Sequence, residues 1–167
     1  MKDIKKYREM FMTRGKVVSE KKFFEDFNIG EKFVTPAKYI TQTELDLFCL
    51  ITRHGSFHID AELARSLGFK DKVVPGLFVL SLINGLMGEI GLFEEVLLFL
   101  GINNTRFRSP VFPGDSVRLQ LEVIGKKDVA KWKELGIITF KIEVKNQDEV
   151  VVCETEASYQ YRRRHPE

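Results

Sequence analysis

Apolar and polar residues alternate strictly along three segments in the second half of the chain. The apolar positions of these segments are Val117, Leu119, Leu121 and Val123; Ile138, Phe140, Ile142 and Val144; and Val151, Cys153, Thr155, Ala157 and Tyr159. Period-two alternation predicts strands with one buried face and one wet face. A long extended run from Val96 to Arg108 precedes them, and turn residues separate the segments at 113–115 and 146–148. The second half therefore predicts four strands.

The run from Pro75 to Ile90 predicts one long helix. Pro75 suits the start of a helix, and Gly91 suits its end. Apolar residues surround this helix instead of forming one stripe, which predicts burial on most sides. Ser81, Gly85 and Gly88 are small and would let another element approach the helix closely.

Shorter elements precede the long helix. A strand from Lys32 to Tyr39 is interrupted by Pro36, which predicts an edge position or an irregularity. Thr43 is the predicted N-cap of a helix that ends near Arg53, and residues 54–57 form a loop. A second short helix, Ala61 to Leu67, follows with Asp60 as its cap.

The two ends of the chain are charged. Residues 1–24 form a predicted N-terminal extension, either a short helix carrying Tyr7, Met10 and Phe11 or a solvated segment. Residues 25–167 form the predicted domain. The basic tail Arg162–His165 is expected to be solvated.

The order of elements is one strand, short helices, one long buried helix and four strands. An antiparallel sheet wrapped around a long central helix satisfies this order, and that arrangement is the hot-dog fold of the α+β class. With 167 residues, one domain of this size can bury a sufficient core without a metal or a disulfide.

Composition narrows the classes of function. The formal net charge of +2 argues against a dedicated nucleic-acid binder. No apolar stretch is long enough to span a membrane, and Met1–Met10 has no signal-peptide core, so a cytoplasmic protein is expected. Cys49 and Cys153 are predicted to be buried free thiols. No Cys/His cluster has metal-ligand spacing, and no metal or cofactor is predicted.

Two stretches resemble the MaoC-like family of enoyl-thioester hydratases and dehydratases. The first, residues 48–82, is similar to a Gly-Asp-x-Asn-Pro-x-His-x-Asp loop followed by a short helix, a Gly-Phe pair and a glycine that opens the central helix. The second, Arg106–Asp115, resembles a strand that ends in Pro-Val-x-Pro-Gly-Asp. With the element order, the resemblance covers about residue 24 to the end.

The resemblance implies a role for particular residues. His58 occupies the position of the catalytic histidine, and Gly76 that of the glycine whose N–H binds the thioester carbonyl oxygen. Asp60 matches the acidic residue two places after the histidine. The catalytic aspartate, however, is replaced by Arg53. The family's glycine, asparagine and proline of this loop, and the histidine before Gly76, are replaced by Thr52, Gly55, Ser56 and Pro75.

The missing aspartate matters because hydration of an enoyl thioester needs positioned groups that move protons. A guanidinium stays protonated, so Arg53 cannot be the base. Three substitutes are open: His54, Asp60 or a carboxylate from a partner subunit. Asp60 is more simply a helix cap, and His54 more simply an exposed loop residue. Arg53 itself either binds an anionic substrate or CoA phosphate, or is simply solvated or paired with a nearby acid such as Asp46 or Glu44.

Three functions compete. The first is a hydratase or dehydratase of 2-enoyl- or 3-hydroxyacyl-thioesters, with acyl-CoA or an acyl-carrier thioester as substrate. The second is a non-catalytic acyl-thioester-binding subunit of a heteromeric partner. The third, a thioesterase, is disfavoured because residues 75–88 contain no Asp or Glu. Arg106, Arg108 and the basic ends of the chain are candidates for the CoA phosphates. A homodimer joined at a sheet edge is expected.

Overall fold

A computed structural model of the protein describes residues 21–129 and 131–164. The strands and helices, numbered in chain order, are β1 Lys32–Val34, β2 Lys38–Tyr39, α1 Gln42–Thr52, α2 Ala61–Ser66, α3 Gly76–Glu89, β3 Val96–Phe107, β4 Ser116–Asp128, β5 Leu135–Asn146 and β6 Val151–Arg162. Two 3₁₀ turns lie at Phe24–Asp26 and Ser56–His58. The helix predicted around Tyr7, Met10 and Phe11, and His165 of the tail, lie outside the described residues.

The strands form one antiparallel sheet in the order β1-β4-β5-β6-β3, with β2 also paired to β4. The alternation predicted from the sequence is confirmed, because the inward residues of β4, β5 and β6 are buried. The predicted irregularity at Pro36 separates β1 from β2. There the hydroxyl of buried Thr35 accepts a hydrogen bond from the Leu119 N–H at 2.9 Å, in place of a backbone partner.

Helix α3 lies against the concave face of the sheet, as the hot-dog arrangement predicts. It buries Phe78, Val79, Ile83, Leu86 and Met87. The expectation that the helix is buried on most sides is wrong for a single chain. Leu77 is 59% exposed, and Ser81, Gly85 and Gly88 continue the same exposed stripe. The small residues therefore lie on the face that the single chain leaves uncovered.

The start of α1 differs from its prediction. Its N-cap is Thr41 and not Thr43. The Thr41 hydroxyl accepts the Glu44 N–H at 3.2 Å, and the Glu44 carboxylate accepts the Thr41 N–H at 2.9 Å. This reciprocal capping box prefers Glu or Gln three residues after the cap, and Thr41 has Glu44 there. Thr43 is followed at that spacing by the shorter Asp46, which contacts Gln42 and Lys72 instead.

The ends of the domain are tied together. Phe24, predicted as the end of the extension, is buried in the core. The guanidinium of Arg163 lies 4.4 Å from the centre of its ring and pairs with Asp128 and Glu25. Arg164 pairs with Asp26 at 2.7 Å. The expectation of a solvated basic tail is therefore wrong for these two arginines, because the turn that begins at Phe24 offers them carboxylates and aromatic rings.

Two further expectations concern the cysteines and a membrane-spanning segment. Cys49 and Cys153 are free and buried, as predicted. Burial raises the pKa of the Cys153 thiol to about 11, and the charge of Glu154 acts in the same direction. Within residues 21–129 and 131–164, no helix has the length and apolar character needed to cross a membrane.

Candidate active site

A cleft of about 470 Å³ opens where the turn at Ser56–His58, the first turn of α3 and the chain after β3 meet. Its wall is largely apolar. The ionisable side chains that line it are His54, His58 and Arg108. The cleft therefore brings together two of the residues that the sequence singled out, His58 and Gly76, with a third, His54, beside them.

His58 is held by a backbone contact. Its Nδ1 lies 2.6 Å from the carbonyl oxygen of Val73, in the segment that leads into α3. A carbonyl oxygen only accepts hydrogen bonds, so Nδ1 carries the hydrogen and donates it. The other nitrogen, Nε2, is then a lone-pair acceptor when the ring is neutral. This is the form that a general base needs.

His54 is also fixed, and it is half-buried in the cleft and not exposed as the sequence suggested. Its Nδ1 lies 2.8 Å from the hydroxyl oxygen of Thr52, and that hydroxyl lies 2.6 Å from the carbonyl oxygen of Phe48. The Phe48 ring contacts the imidazole at 5.8 Å between ring centres. The rings of His54 and His58 are 5.7 Å apart at an angle of 71°.

Arg53 does not line the cleft, although it occupies the position that resembles the family aspartate. It is the C-cap of α1 in the left-handed conformation, with φ 57°, and is exposed. The predicted ion pairs with Glu44 and Asp46 are not formed, because Glu44 pairs with Lys38 and Asp46 with Lys72. Binding of a substrate phosphate by Arg53 stays a prediction.

Asp60 acts as a helix cap, as the simpler of its two interpretations held. Its Oδ1 accepts the N–H groups of Glu62 at 2.9 Å and Leu63 at 3.0 Å, at the start of α2. It is exposed and is not part of the cleft wall. With Asp60 away from the cleft, the described residues that line it include no Asp or Glu.

Gly76 begins α3 at the bottom of the cleft. Pro75, the N-cap, has no side-chain group that could bond to the first N–H groups of the helix. A Cβ atom at residue 76 would lie 2.6 Å from the ring of Phe107, so only glycine fits beside this ring. The helix start thus presents N–H donors, with their partial positive charge, to the cleft.

The arginines near the end of β3 differ in their surroundings. Arg108 lines the cleft and pairs with the exposed end of Glu154 on β6. Arg106 is exposed, and its guanidinium donates to the Thr105 carbonyl oxygen at 2.9 Å. Of the candidates Arg53, Arg106 and Arg108 for CoA phosphates, Arg108 is part of the cleft wall and the other two are not.

Sequence reasoning missed the residues that hold the histidines. Thr52 and the Phe48 carbonyl fix His54, and the Val73 carbonyl fixes His58. A threonine four residues after a helical carbonyl commonly bonds back to it, which could have pointed to Thr52. The Val73 contact joins residues 15 apart in the chain and leaves no local signal.

A family model matches most of this chain, including the segments around the cleft. Residues 25–146 match the family model described as MaoC like domain. The chain belongs to the MaoC-like family. That match includes the histidine loop, all of α3 and the cleft wall apart from Val152.

Curated relatives carry dehydratase names. The 3-hydroxyacyl-thioester dehydratase Z of Mycobacterium tuberculosis is 30% identical over 108 residues, which is 63% of this chain and 72% of that protein. Protein MaoC of Klebsiella aerogenes is 33% identical over 116 residues, or 65% of this chain. This chain spans only 34% of the length of that second protein.

Solved structures of relatives share the architecture. The monoamine oxidase regulatory protein of Archaeoglobus fulgidus superposes with a TM-score of 0.79 at 30% identity, over 89% of this chain and 99% of that one. A Mycobacterium tuberculosis protein with a double hot-dog fold superposes with a TM-score of 0.74 at 15% identity, over 86% of this chain and 44% of that one. The hot-dog fold predicted from the sequence is therefore confirmed.

Proposed function

We propose that the protein is a hydratase or dehydratase of 2-enoyl- and 3-hydroxyacyl-thioesters, with His58 as the acid/base residue. The observation that carries this proposal is the placement of a histidine with a free Nε2 in the same cleft as the uncapped start of α3. The dehydratase names of relatives that are at least 30% identical support the same reaction class.

The reaction needs one proton relay and one anion site. Water adds to the β-carbon, and its oxygen forms the new C–O bond while a water proton passes to His58 Nε2. The electron pair of the C=C bond moves toward the thioester carbonyl, whose oxygen gains negative charge. The Gly76 N–H at the helix start stabilises that charge. The proton on His58 then passes to the α-carbon, and the carbonyl re-forms. Dehydration is the reverse.

The apolar wall fits the acyl chain of such a substrate. Val74, Val79, Val111 and Val152 line the cleft beside the helix start. Burial of methylene groups against such a wall stabilises binding by about 0.8 kcal/mol per group. Arg108, at the mouth, is the group we assign to an anionic part of the thiol carrier, either CoA or an acyl-carrier protein.

Hydration of crotonyl-CoA by the purified full-length protein tests the proposal. The loss of the enoyl-thioester absorbance is the readout, and release of free CoA is measured in parallel to detect thioesterase activity. We expect hydration without release of free thiol. Loss of absorbance that matches thiol release would instead identify a thioesterase.

A second candidate is a non-catalytic subunit that binds the acyl thioester for a catalytic partner. The absence of a carboxylate among the residues that line the cleft favours it. It predicts that the protein binds acyl-CoA without turnover and that a distinct subunit co-purifies from its source. Turnover by the isolated protein contradicts this candidate.

We also propose a homodimer joined along β3. This strand lies at one edge of the sheet, so its outer N–H and C=O groups have no partner strand among the residues that the structure describes. Its side chains are unusually apolar for an exposed edge, with Leu97, Leu98, Phe99, Leu100 and Ile102 each at least 40% exposed. A second copy would cover this strand and the exposed stripe of α3.

A further inference from the structure

The replacement of the family aspartate by Arg53 leaves the water of the proposed reaction with one acceptor, His58. Water has two hydrogens, and a reaction that uses its oxygen as nucleophile benefits when both are held. Among residues 21–129 and 131–164, no carboxylate lines the cleft. The second acceptor must therefore be another side chain of the cleft wall. Among these side chains, His54 has an imidazole, which can accept a hydrogen bond from water.

We propose that His54 takes the place of the missing aspartate, so that the site works with a pair of histidines around one water. This inference rests on the proposed hydratase function. His54 lies one residue after the position that resembles the family aspartate, and it lines the same cleft as His58 and Gly76.

The hydrogen-bond network fixes which nitrogen of His54 is free. The Phe48 carbonyl can only accept, so the single hydroxyl hydrogen of Thr52 points to it across 2.6 Å. The Thr52 oxygen then has only lone pairs to offer His54, and Nδ1 must donate across the 2.8 Å contact. His54 Nε2 is therefore a lone-pair acceptor, as His58 Nε2 is.

The two rings are arranged as a pair. Their centres are 5.7 Å apart at 71°, a separation that leaves space for one water oxygen between two ring nitrogens. The two Nε2 acceptors match the two hydrogens of one water, which leaves an oxygen lone pair for the β-carbon of the substrate. His58 takes and returns the proton, and His54 holds the second water hydrogen.

The end of α1 orients the His54 ring. Thr52 is the last residue of α1, and the Phe48 carbonyl belongs to the last turn of that helix. Through the Thr52 hydroxyl, His54 is connected to that end. Thr52 is thus a positioning residue, and His54 is the residue that touches the water.

The left-handed cap explains why position 54, and not position 53, faces the cleft. With φ 57° at Arg53, the chain reverses direction at the end of α1. Arg53 is left exposed, whereas the next residue is turned back against Phe48 and into the cleft. The acid/base position has moved one residue along the chain.

The test is steady-state hydration of crotonyl-CoA by full-length variants, with circular dichroism to confirm folding. His54→Ala is expected to lower kcat about 10²–10⁴-fold with a smaller change in KM, because a group that acts on water contributes little to substrate binding. Free imidazole added to this variant should restore part of kcat. His54→Gln, which keeps a polar side chain of similar size, serves if the alanine variant fails to fold.

Thr52 provides a matched second test. Thr52→Val removes the hydroxyl but keeps the shape, and it should lower kcat about tenfold, whereas Thr52→Ser should not. Thr43→Val, on the exposed face of the same helix, is the control and should leave kcat unchanged. In the wild type, ¹⁵N spectra of labelled histidines should show His54 as the Nδ1–H form, and Thr52→Val should lose that preference.

Three outcomes distinguish the histidine pair from the proposed hydratase function. A wild type that hydrates the substrate, loses activity with His58→Ala and keeps it with His54→Ala overturns the histidine pair but leaves the proposed function standing. A wild type without turnover overturns both. An Nε2–H form of His54 in the wild-type spectra overturns the network on its own, whatever the activity.

Discussion

The two sides of the cleft follow the MaoC-like pattern to different extents. The α3 side keeps Gly76 at the helix start, and the segment after β3 keeps the Pro-Val-x-Pro-Gly-Asp pattern. The α1 side keeps His58 but has Arg53 where the aspartate is expected. The proposed role of the helix side belongs to backbone N–H groups, so only residues small enough for that backbone position are allowed. The proposed role of the loop side belongs to a hydrogen-bond acceptor, which more than one residue type can supply.

The comparison shows how the backbone conformation at the end of α1 decides which side chain lines the cleft. A left-handed residue at 53 exposes its own side chain and directs residue 54 inward. An alignment that compares residue types at one position shows only that the aspartate is missing. The three-dimensional structure places an imidazole in the same cleft.

The largest effect on the helix side is expected from Gly76→Ala. The added methyl group would lie 2.6 Å from the Phe107 ring, so the ring or the helix start must shift. We expect kcat/KM for crotonyl-CoA to fall about 100-fold or more, as loss of an oxyanion donor does. Thr43→Ala is the control, because Thr43 is exposed on α1 and is not the cap of that helix. Equal activity of both variants would remove Gly76 from the site.

Thiol reactivity tests the burial of Cys153 on β6. Burial raises the pKa of Cys153 to about 11, so its reactive thiolate is scarce at pH 8. We expect labelling by a disulfide reagent to be more than 100-fold slower in the native protein than in the unfolded one. Because the folded pKa is the higher one, stability should fall as pH rises from about 8.5, where an unfolded thiol ionises, to about 11. Cys153→Ala should remove that part of the pH dependence, and an unchanged slope would contradict the assignment.

Strand β3 belongs to the α3 side of the cleft, because it ends at Phe107, whose ring lies beside Gly76. Leu100→Glu places a charge on the proposed dimer surface, where Leu100 is 44% exposed. We expect the mass in sedimentation equilibrium to fall from two chains to one. Ile124→Glu, at 40% exposure on β4, is the matched control and should stay dimeric. A wild type that sediments as a monomer would refute the dimer.

The smallest effect concerns the start of α1, which positions the loop side. Thr41→Ala removes the N-cap and should lower the free energy of unfolding by about 1 kcal/mol. Thr43→Ala should change it by a few tenths at most, since Thr43 makes no cap. Partial burial of Glu44 opposes its ionisation, but hydrogen bonds from Lys38 and Thr41 lower its pKa below the ordinary carboxyl value. The contribution of the capping box is thus present near neutral pH and lost as pH falls through that lowered pKa. Denaturant titration of both variants at pH 7 decides between Thr41 and Thr43.

The fold could be predicted because its signals are local. Alternation in β4, β5 and β6 and the continuous apolar helix α3 are periodicities that a reader can see in the sequence. The errors arose where a nearby competitor existed, as when Thr43 was chosen over Thr41 as the cap. The exposed stripe of α3 was missed because a sequence does not distinguish burial within a chain from burial against another copy.

The site was predicted in part. His58 and Gly76 were found through family resemblance, and both line the cleft. The orientation of His54 depends on a left-handed residue at Arg53 and on a hydroxyl relay to Phe48, neither of which residue types alone determine. Contacts such as that of His58 with the Val73 carbonyl join distant segments and appear only once the chain is folded.

The most direct test of the proposed function is the hydration of crotonyl-CoA by the purified wild type beside His58→Ala. We predict turnover by the wild type and a loss of about 10²–10⁴-fold in the variant, without release of free CoA. Binding of acyl-CoA without turnover by the wild type, or equal turnover by both proteins, would contradict it.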